Sequence, residues 1–198
     1  MQIESDSIKF LNKKVDSNFI LIFDLDGTLV DTDRANLLSY KDAIKQIIKI
    51  DINLSHYSNQ RFTRKTLKNI LPRLSNMKYD EIIRLKNKLF DKYLNETKLN
   101  STTFEILQKY LGINTIVLST NSHKERAIKV LKFHHIFDKF NYKFYKDDIE
   151  SIKDMTKFKY VIKQTKIMPT HMIIFENEKL EIDIALSLGI PPENIVNI

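Results

Sequence analysis

The 198-residue sequence has no cysteine and only three glycines. Without cysteine, the chain can hold neither a disulfide bond nor a metal ion on thiolate ligands. The glycines, at positions 27, 112 and 189, are too far apart to form the glycine-rich loops that cradle phosphates in dinucleotide-binding and P-loop proteins. Both of these nucleotide-binding classes are therefore excluded.

Long apolar runs without charged residues are also missing, so the sequence predicts no transmembrane helix. The first residues, MQIESDSIKFLNKKVDS, include acids and lack the continuous apolar centre of a secretory signal. We therefore expect a cytoplasmic protein that does not interact with a membrane. The hydrophobic content of 42% is that of a packed globular protein rather than a disordered one.

The formal charge of +7 comes mostly from lysines that are spread along the whole chain. Nucleic-acid-binding proteins tend instead to concentrate Lys and Arg on one element. We therefore expect no nucleic-acid partner, although a positive surface attracts small anions. Nothing in the composition indicates an oligomeric state.

Short apolar runs alternate with amphipathic segments over much of the chain. The runs with the length of buried strands are residues 19–23, 115–118, 171–175 and 194–196. The segments with helical periodicity are residues 102–111, 124–133, 157–165 and 179–188. This alternation predicts an α/β fold, a Rossmann-like parallel sheet with helices on both faces.

Residues 33–100 interrupt the alternation. They read as helices at roughly 35–50, 60–71 and 79–96, without a convincing strand. We therefore predict a small all-helical cap domain over residues 33–100, inserted after the first core strand, and a catalytic core formed by residues 1–32 and 101–198. Because ligands of open α/β sheets bind at the carboxyl ends of the strands, such a cap is expected to overhang the site.

The first apolar run ends in two carboxylates, Asp24 and Asp26, within the string FDLDGTLVDT. Because side chains alternate along an extended chain, both carboxylates can point the same way, with Leu25 turned away. They repel each other unless one is protonated or a cation lies between them. The alternative interpretation is that the pair only caps the following turn, since Asp-Gly is a common turn dipeptide.

The string FDLDGTLVDT resembles the first motif of the haloacid dehalogenase superfamily, most of whose members are magnesium-dependent phosphatases. The resemblance implies that Asp24 is the nucleophile and forms an aspartyl-phosphate, and that Asp26 is the general acid and base. It also implies that the Asp26 carbonyl faces the metal, and that Gly27 and Thr28 lie beside the substrate. The dehalogenase branch typically lacks the second Asp, so Asp26 favours phosphoryl transfer.

The second and third motifs of the superfamily supply groups that hold and neutralise the phosphoryl group. IVLSTNS fits the second motif, with Ser119 as the best match and Thr120 or Asn121 as alternatives in register. A Ser-Thr-Asn turn is otherwise an ordinary start for a helix. For the third motif, a lysine ahead of a helix, Lys153 fits best and Lys157 is the second choice in a segment rich in lysine.

The fourth motif supplies acids for Mg²⁺, and here the sequence departs from the superfamily. Relatives usually carry an acidic pair after an apolar strand, but this chain has Glu176 followed by Asn177. The resemblance implies that Asp24, Asp26, Glu176 and Asn177 hold the metal, while the role of Glu181 is left open. Glu178 is better explained as an acid at a helix N-terminus.

Taken together, these motifs predict a Mg²⁺-dependent phosphatase of a small phosphorylated metabolite. In the predicted cap, Arg34, Arg61 and Arg64 are candidates for contacting the anionic substrate, although two arginines three residues apart also occur on ordinary helix faces. A phosphomutase with the same nucleophile is one alternative. The other is a binding or regulatory protein on a weakened phosphatase scaffold, which the unusual Asn177 makes conceivable.

Overall fold

The computed structural model describes residues 15–57 and 60–198. The described strands are β1 (Ile20–Phe23), β2 (Val30–Asp31), β3 (Lys98–Leu99), β4 (Thr115–Ser119), β5 (Tyr142–Phe144), β6 (Met172–Glu176) and β7 (Ile195–Asn197). The described α-helices are α1 (Asp33–Ile48), α2 (Arg64–Ile70), α3 (Asn76–Leu89), α4 (Ser101–Tyr110), α5 (Lys124–Phe133), α6 (Lys146–Ile149), α7 (Lys157–Thr165) and α8 (Lys179–Ser187). Most of the N-terminal segment in which we find no secretory signal lies outside the described residues.

Five strands form one parallel sheet in the order β5-β4-β1-β6-β7. The central strand, β1, is buried along its whole length, as expected for a strand covered on both faces. On one face, Ile20 and Ile22 of β1 pack in a cluster with Phe158 and Val161 of α7 and with Ala185 of α8. The predicted α/β fold with a Rossmann-like parallel sheet is confirmed.

The edge strand β5 was not among the predicted strands. It has only three residues, and its central residue is Lys143 between two aromatic residues. It pairs with β4 through Val117↔Tyr142 and Ser119↔Phe144. A strand this short, at a sheet edge and with a charged centre, lacks the continuous apolar run by which the other strands are recognised.

The described residues divide into two compact units, one of residues 15–29 and 100–198, and the other of residues 30–57 and 60–99. The first unit contains the parallel sheet. The boundaries of the second unit, at 30 and 99, lie near those predicted for the cap, at 33 and 100. Its role as a cap stays a prediction.

The second unit is mainly helical, with a core formed by residues of α1, α2 and α3 and the segments between them. Tyr40 and Ile44 of α1 pack in this core with Phe62, Leu67 and Ile82. The third predicted helix is two elements, α3 and a 3-10 helix at Phe90–Glu96. The ends of the unit also form a short antiparallel pair of strands, β2 and β3, which corrects the expectation that this region lacks strands.

None of the helices in the described part of the chain is both long and apolar enough to cross a lipid bilayer.

Candidate active site

The register of the sheet brings three polar side chains to one row at its carboxyl edge. Phe23 of β1 pairs with Leu118 of β4 and with Phe175 of β6. The next residues along these strands are Asp24, Ser119 and Glu176, so they follow at the same level. All three are buried, and Asp24 retains an exposed fraction of 6%. Side chains at one level of a parallel sheet point to the same face, which gathers these polar groups over α7.

Lys157, the first residue of α7, joins two of these groups. Its Nζ lies 2.9 Å from Oδ1 of Asp24 and 2.5 Å from Oε2 of Glu176, and its side chain is only 1% exposed. Thr156 caps the helix by accepting a hydrogen bond from the Lys159 N–H, which fixes the start of α7. The predicted Lys153 instead lies exposed in the turn before α7. Of the two lysines that the sequence offered, the fold brings Lys157 and not Lys153 to Asp24.

Burial and the neighbouring charges together shift the pKa values of Asp24 and Lys157. Burial raises the pKa of Asp24 to about 7, with the charges of Glu176 and Asp26 adding to the effect and that of Lys157 opposing it. For Lys157, burial opposes the charge, but the attraction of Asp24 and Glu176 outweighs it and raises the pKa above its usual value. The lysine therefore stays charged, while Asp24 needs further positive charge to be fully ionised at neutral pH.

Two residues that the sequence analysis did not single out hold Asp26. Arg126 Nη2 donates to Oδ1 of Asp26 at 2.6 Å, and Nη1 donates to Oδ2 at 3.1 Å. The Ser122 hydroxyl also donates to Oδ2. Ser122 lies in the bend before α5 and Arg126 in the first turn of that helix, and Nη1 of Arg126 donates to the Ser122 hydroxyl at 2.5 Å. The second-motif string ends at Ser122, but its candidates for the site were Ser119, Thr120 and Asn121.

The turn after β1 requires glycine. Gly27 has a φ of 86°, in the left-handed region that residues with a Cβ rarely adopt. A Cβ at this position would also clash with the side-chain amide of Asn177. Asn177 Oδ1 accepts a hydrogen bond from Thr28 Oγ1 at 3.2 Å, so the predicted fourth motif lies directly against the turn of the first.

The residues of the second motif have different hydrogen-bond partners. The Ser119 hydroxyl donates to the carbonyl oxygen of Lys157 at 3.4 Å. Thr120 Oγ1 accepts from the Ser122 N–H at 3.1 Å, and its hydroxyl hydrogen has no acceptor in the described residues. Asn121 Nδ2 donates to Oε1 of Glu181 at 2.8 Å. Thr120 thus has a hydroxyl donor still available to a ligand, and Asn121 has the second hydrogen of its Nδ2.

The predicted metal ligand Glu176 already has partners on both oxygens. Its Oε1 accepts hydrogen bonds from the backbone N–H groups of Asn177 and Glu178, each at 3.0 Å, and its Oε2 pairs with Lys157. Glu176 therefore orients the lysine in this structure, which the sequence analysis did not foresee. A carboxylate held by backbone N–H groups and an ammonium is already well stabilised.

Glu181, whose role the sequence left open, carries an oxygen in need of a partner. The residue is 8% exposed, and its Oε2 is buried without a hydrogen bond to any described residue. A buried carboxylate oxygen without a partner is costly, and a bound cation removes that cost. The acids Asp24, Asp26, Glu176 and Glu181 outnumber the cations Lys157 and Arg126 by two formal charges. A divalent cation thus fits the charge of this site.

The arginines predicted to contact substrate lie in the second unit. Arg34 Nε pairs with Oε2 of Glu96 at 2.5 Å, and Arg64 Nη2 pairs with Oδ1 of Asp80 at 2.7 Å. Arg61 is exposed. The ion pairs of Arg34 and Arg64 are largely exposed and therefore weak, so either arginine could exchange its partner for a ligand.

A comparison with known families places this geometry in context. The model of the haloacid dehalogenase-like hydrolases matches residues 21–192, a range that begins within β1 and includes every site residue named above. The chain belongs to the haloacid dehalogenase-like hydrolases. The family predicted from the motifs is thereby confirmed, as is the assignment of the chain to an enzyme family of hydrolases. No curated protein matches the chain.

Several solved structures share the fold of this chain at low sequence identity. A provisionally named phosphatase from Clostridium difficile has a TM-score of 0.74 at 21% identity, over 93% of this chain and 86% of that one. A predicted phosphoglycolate phosphatase from Haemophilus somnus has a TM-score of 0.68 at 20% identity, over 87% and 83%. A provisionally named beta-phosphoglucomutase from Thermotoga maritima has a TM-score of 0.65 at 17% identity, over 90% and 84%.

Proposed function

We propose that this haloacid dehalogenase-like hydrolase is a Mg²⁺-dependent phosphatase of a small phosphorylated metabolite in the cytoplasm. The observation that carries the proposal is the buried Asp24 at the end of β1, paired with Lys157 and two residues before Asp26. A nucleophilic carboxylate, a fixed cation and a second carboxylate are the groups needed to transfer a phosphoryl group through an aspartyl-phosphate.

In the first step, a carboxylate oxygen of Asp24 attacks phosphorus while the ester P–O bond breaks. The electron pair of that bond stays on the leaving oxygen, which takes a proton from Asp26. In the second step, water attacks the aspartyl-phosphate and gives a proton back to Asp26, which releases inorganic phosphate and restores Asp24. The same residue thus acts as acid and then as base.

Lys157 and the second motif stabilise the phosphoryl group in this scheme. The ammonium of Lys157 offsets the repulsion between Asp24 and an incoming phosphate anion. The Thr120 hydroxyl, whose hydrogen has no described acceptor, can donate to a phosphoryl oxygen, and so Thr120 is a stronger candidate than Ser119. Asn121 acts less directly, by holding Glu181.

The metal-binding half of the site is formed by oxygen-bearing groups, as Mg²⁺ requires. Asp24, Glu181, the Asp26 carbonyl and the Asn177 amide oxygen are the groups that would hold the ion, with Glu176 orienting Lys157 beside them. When bound, Mg²⁺ supplies positive charge that offsets the repulsion between the phosphate and the nucleophile. The helical second unit is proposed to act as the cap that selects the substrate, with Arg34, Arg61 and Arg64 as its anion-binding candidates.

A screen of phosphorylated metabolites with and without Mg²⁺ tests this function. We expect Mg²⁺-dependent phosphate release from some sugar phosphates, phosphoglycolate or nucleoside monophosphates, and its loss in Asp24→Asn. Absence of turnover across the whole panel would favour the alternative of a weakened scaffold used for binding. Full activity of Asp24→Asn would overturn the choice of nucleophile.

A phosphomutase is the second enzymatic candidate, because a structure named for that activity shares the fold. A mutase returns the phosphoryl group to a sugar instead of giving it to water. Incubation with glucose phosphates separates the two activities, because a mutase forms an isomeric sugar phosphate and a phosphatase releases inorganic phosphate.

A further inference from the structure

We propose that Arg126, together with Ser122, is the positioning residue that orients the carboxyl group of Asp26 during phosphoryl transfer. The inference rests on the proposed function, in which Asp26 carries the proton to and from the reacting oxygen. Arg126 lies outside the motifs that identify the family in this sequence, and Ser122 is the last residue of the string that fits the second motif, where the sequence assigned it no role.

Asp26, Arg126 and Ser122 are each in hydrogen-bond contact with the other two. Arg126 donates to both carboxylate oxygens, and its Nη1 also donates to the Ser122 hydroxyl at 2.5 Å. The Ser122 hydroxyl in turn donates a hydrogen bond to Oδ2 of Asp26. The Arg126 side chain is 19% exposed and the Asp26 side chain 6%, so water screens this pair only weakly. A planar guanidinium that grips both oxygens fixes the orientation of a carboxyl group, not only its distance.

The residues that hold Asp26 are themselves held. The Ser122 N–H donates to Thr120 Oγ1 at 3.1 Å, and the Ser122 carbonyl accepts from the Lys146 N–H at 3.1 Å. Arg126 lies in the first turn of α5, which begins at Lys124 directly after this segment. The position of the guanidinium is therefore tied to the end of β4, which is paired in register with the β1 strand that carries Asp24.

Orientation matters for a proton donor because catalytic groups need to be within about 0.5 Å and 10–20° of the productive geometry. Asp26 follows the end of β1 and enters the Gly27 turn, so the strand alone does not fix its side chain. A neutral carboxyl group keeps the capacity to accept hydrogen bonds. Arg126 can therefore hold Asp26 in both steps, while its positive charge favours the ionised carboxylate of the proton-accepting step.

The test compares two substrates that differ in their need for a proton. The leaving group of glycerol phosphate is an alkoxide, which has to be protonated, whereas that of p-nitrophenyl phosphate is a stable phenolate. The ratio kcat/KM reports only the steps up to formation of the aspartyl-phosphate, so the later role of Asp26 as a base does not enter. We expect Arg126→Ala to lower kcat/KM for glycerol phosphate by about 10–100-fold, and for p-nitrophenyl phosphate by less than about 3-fold.

Further variants separate orientation from charge and from folding. Arg126→Lys keeps the charge but cannot grip two oxygens, so an intermediate loss on glycerol phosphate is expected. In an Asp26→Asn background, Arg126→Ala should cause no additional loss, because the group that it positions is no longer an acid. Lys129→Ala is the matched control, because Lys129 is a cation of the same helix and pairs with Glu125. It should leave kcat/KM for both substrates unchanged.

Equal losses of kcat/KM on both substrates would mean that Arg126 has only a structural role, and would overturn the proposal. An unchanged kcat/KM for glycerol phosphate in both Arg126 variants would also overturn it. If the wild-type protein turns over both substrates and only this selectivity is missing, the phosphatase assignment stands and the positioning role fails. If the wild-type protein turns over neither substrate nor any of the metabolite panel, both fail together. Thermal unfolding of each variant identifies a loss that comes from misfolding, and Arg126→Lys then provides the decisive comparison.

Discussion

Nζ of Lys157 lies 2.9 Å from Oδ1 of Asp24 in a part of the molecule from which water is almost excluded. Glu176 completes the arrangement on the other side of the ammonium, at 2.5 Å. A single lysine thus separates two buried carboxylates. The arrangement depends on the lysine, because removing one partner of a buried ion pair leaves the other uncompensated.

Replacing Lys157 by Met should therefore damage both folding and activity. We expect a loss of roughly 3–5 kcal/mol in the free energy of unfolding, the usual cost of breaking a buried ion pair. Activity should fall by at least about 100-fold, because the charge beside the nucleophile is removed. Chemical denaturation and a phosphate-release assay measure the two effects. Lys153→Met is the control, and if it were the more harmful substitution, the assignment of Lys157 to the site would be wrong.

The sequence was sufficient for the parts of the site that depend on local pattern. Asp24 and Asp26 follow a buried run of apolar residues, and the register of parallel strands then places Ser119 and Glu176 beside them. Lys157 was only a second choice, because one lysine among many has no distinctive local signal. The contact between Asp26 and Arg126 joins residues 100 positions apart, and only the folded chain reveals such a pair.

The same limit explains what was missed in the fold. Long apolar strands are recognisable because burial on both faces demands continuous hydrophobic side chains. Strands β2 and β3 have two residues each, and they exist through pairing between the ends of the second unit. No periodicity can be read from two residues, so their pairing could not be predicted from the sequence.

Substituting Gly27 by Ala should destabilise the protein through two separate effects. The left-handed conformation costs a residue with a Cβ about 1–2 kcal/mol. The clash with the Asn177 amide adds to this cost. Gly112→Ala is a matched control, because Gly112 has a φ of 79° but no neighbouring atom within 4 Å of the added Cβ. Free energies of unfolding should show a larger loss at Gly27, and Asn177→Ala should reduce the difference. Equal losses at both glycines would show that the clash is relieved at no cost.

Asn177→Asp tests whether the departure from the acidic pair weakens metal binding. An aspartate keeps an oxygen that can accept the hydrogen bond from Thr28, and it adds one negative charge to the site. We expect the affinity for Mg²⁺ to rise by roughly tenfold, the order of effect seen when groups around a metal are changed. The rise in melting temperature with added Mg²⁺ gives a readout that does not depend on turnover. If Asn177→Asp changes neither the Mg²⁺ dependence of the melting temperature nor that of phosphate release, Asn177 lies outside the metal site.

The pKa of Asp24 predicts how activity depends on pH. Burial, reinforced by Glu176 and Asp26 and opposed by Lys157, raises this pKa to about 7, and a protonated carboxyl group is not a nucleophile. At low Mg²⁺, kcat/KM should therefore fall as the pH drops below about 7. Positive charge near the carboxylate favours its ionised form, so saturating Mg²⁺ should move this midpoint down by about 1–3 pH units. The phosphate of the substrate also titrates, with a second pKa of about 6, so the same substrate is used at both Mg²⁺ concentrations. A midpoint that does not move with Mg²⁺ would mean that the acidic limb belongs to the substrate or to a group far from the metal.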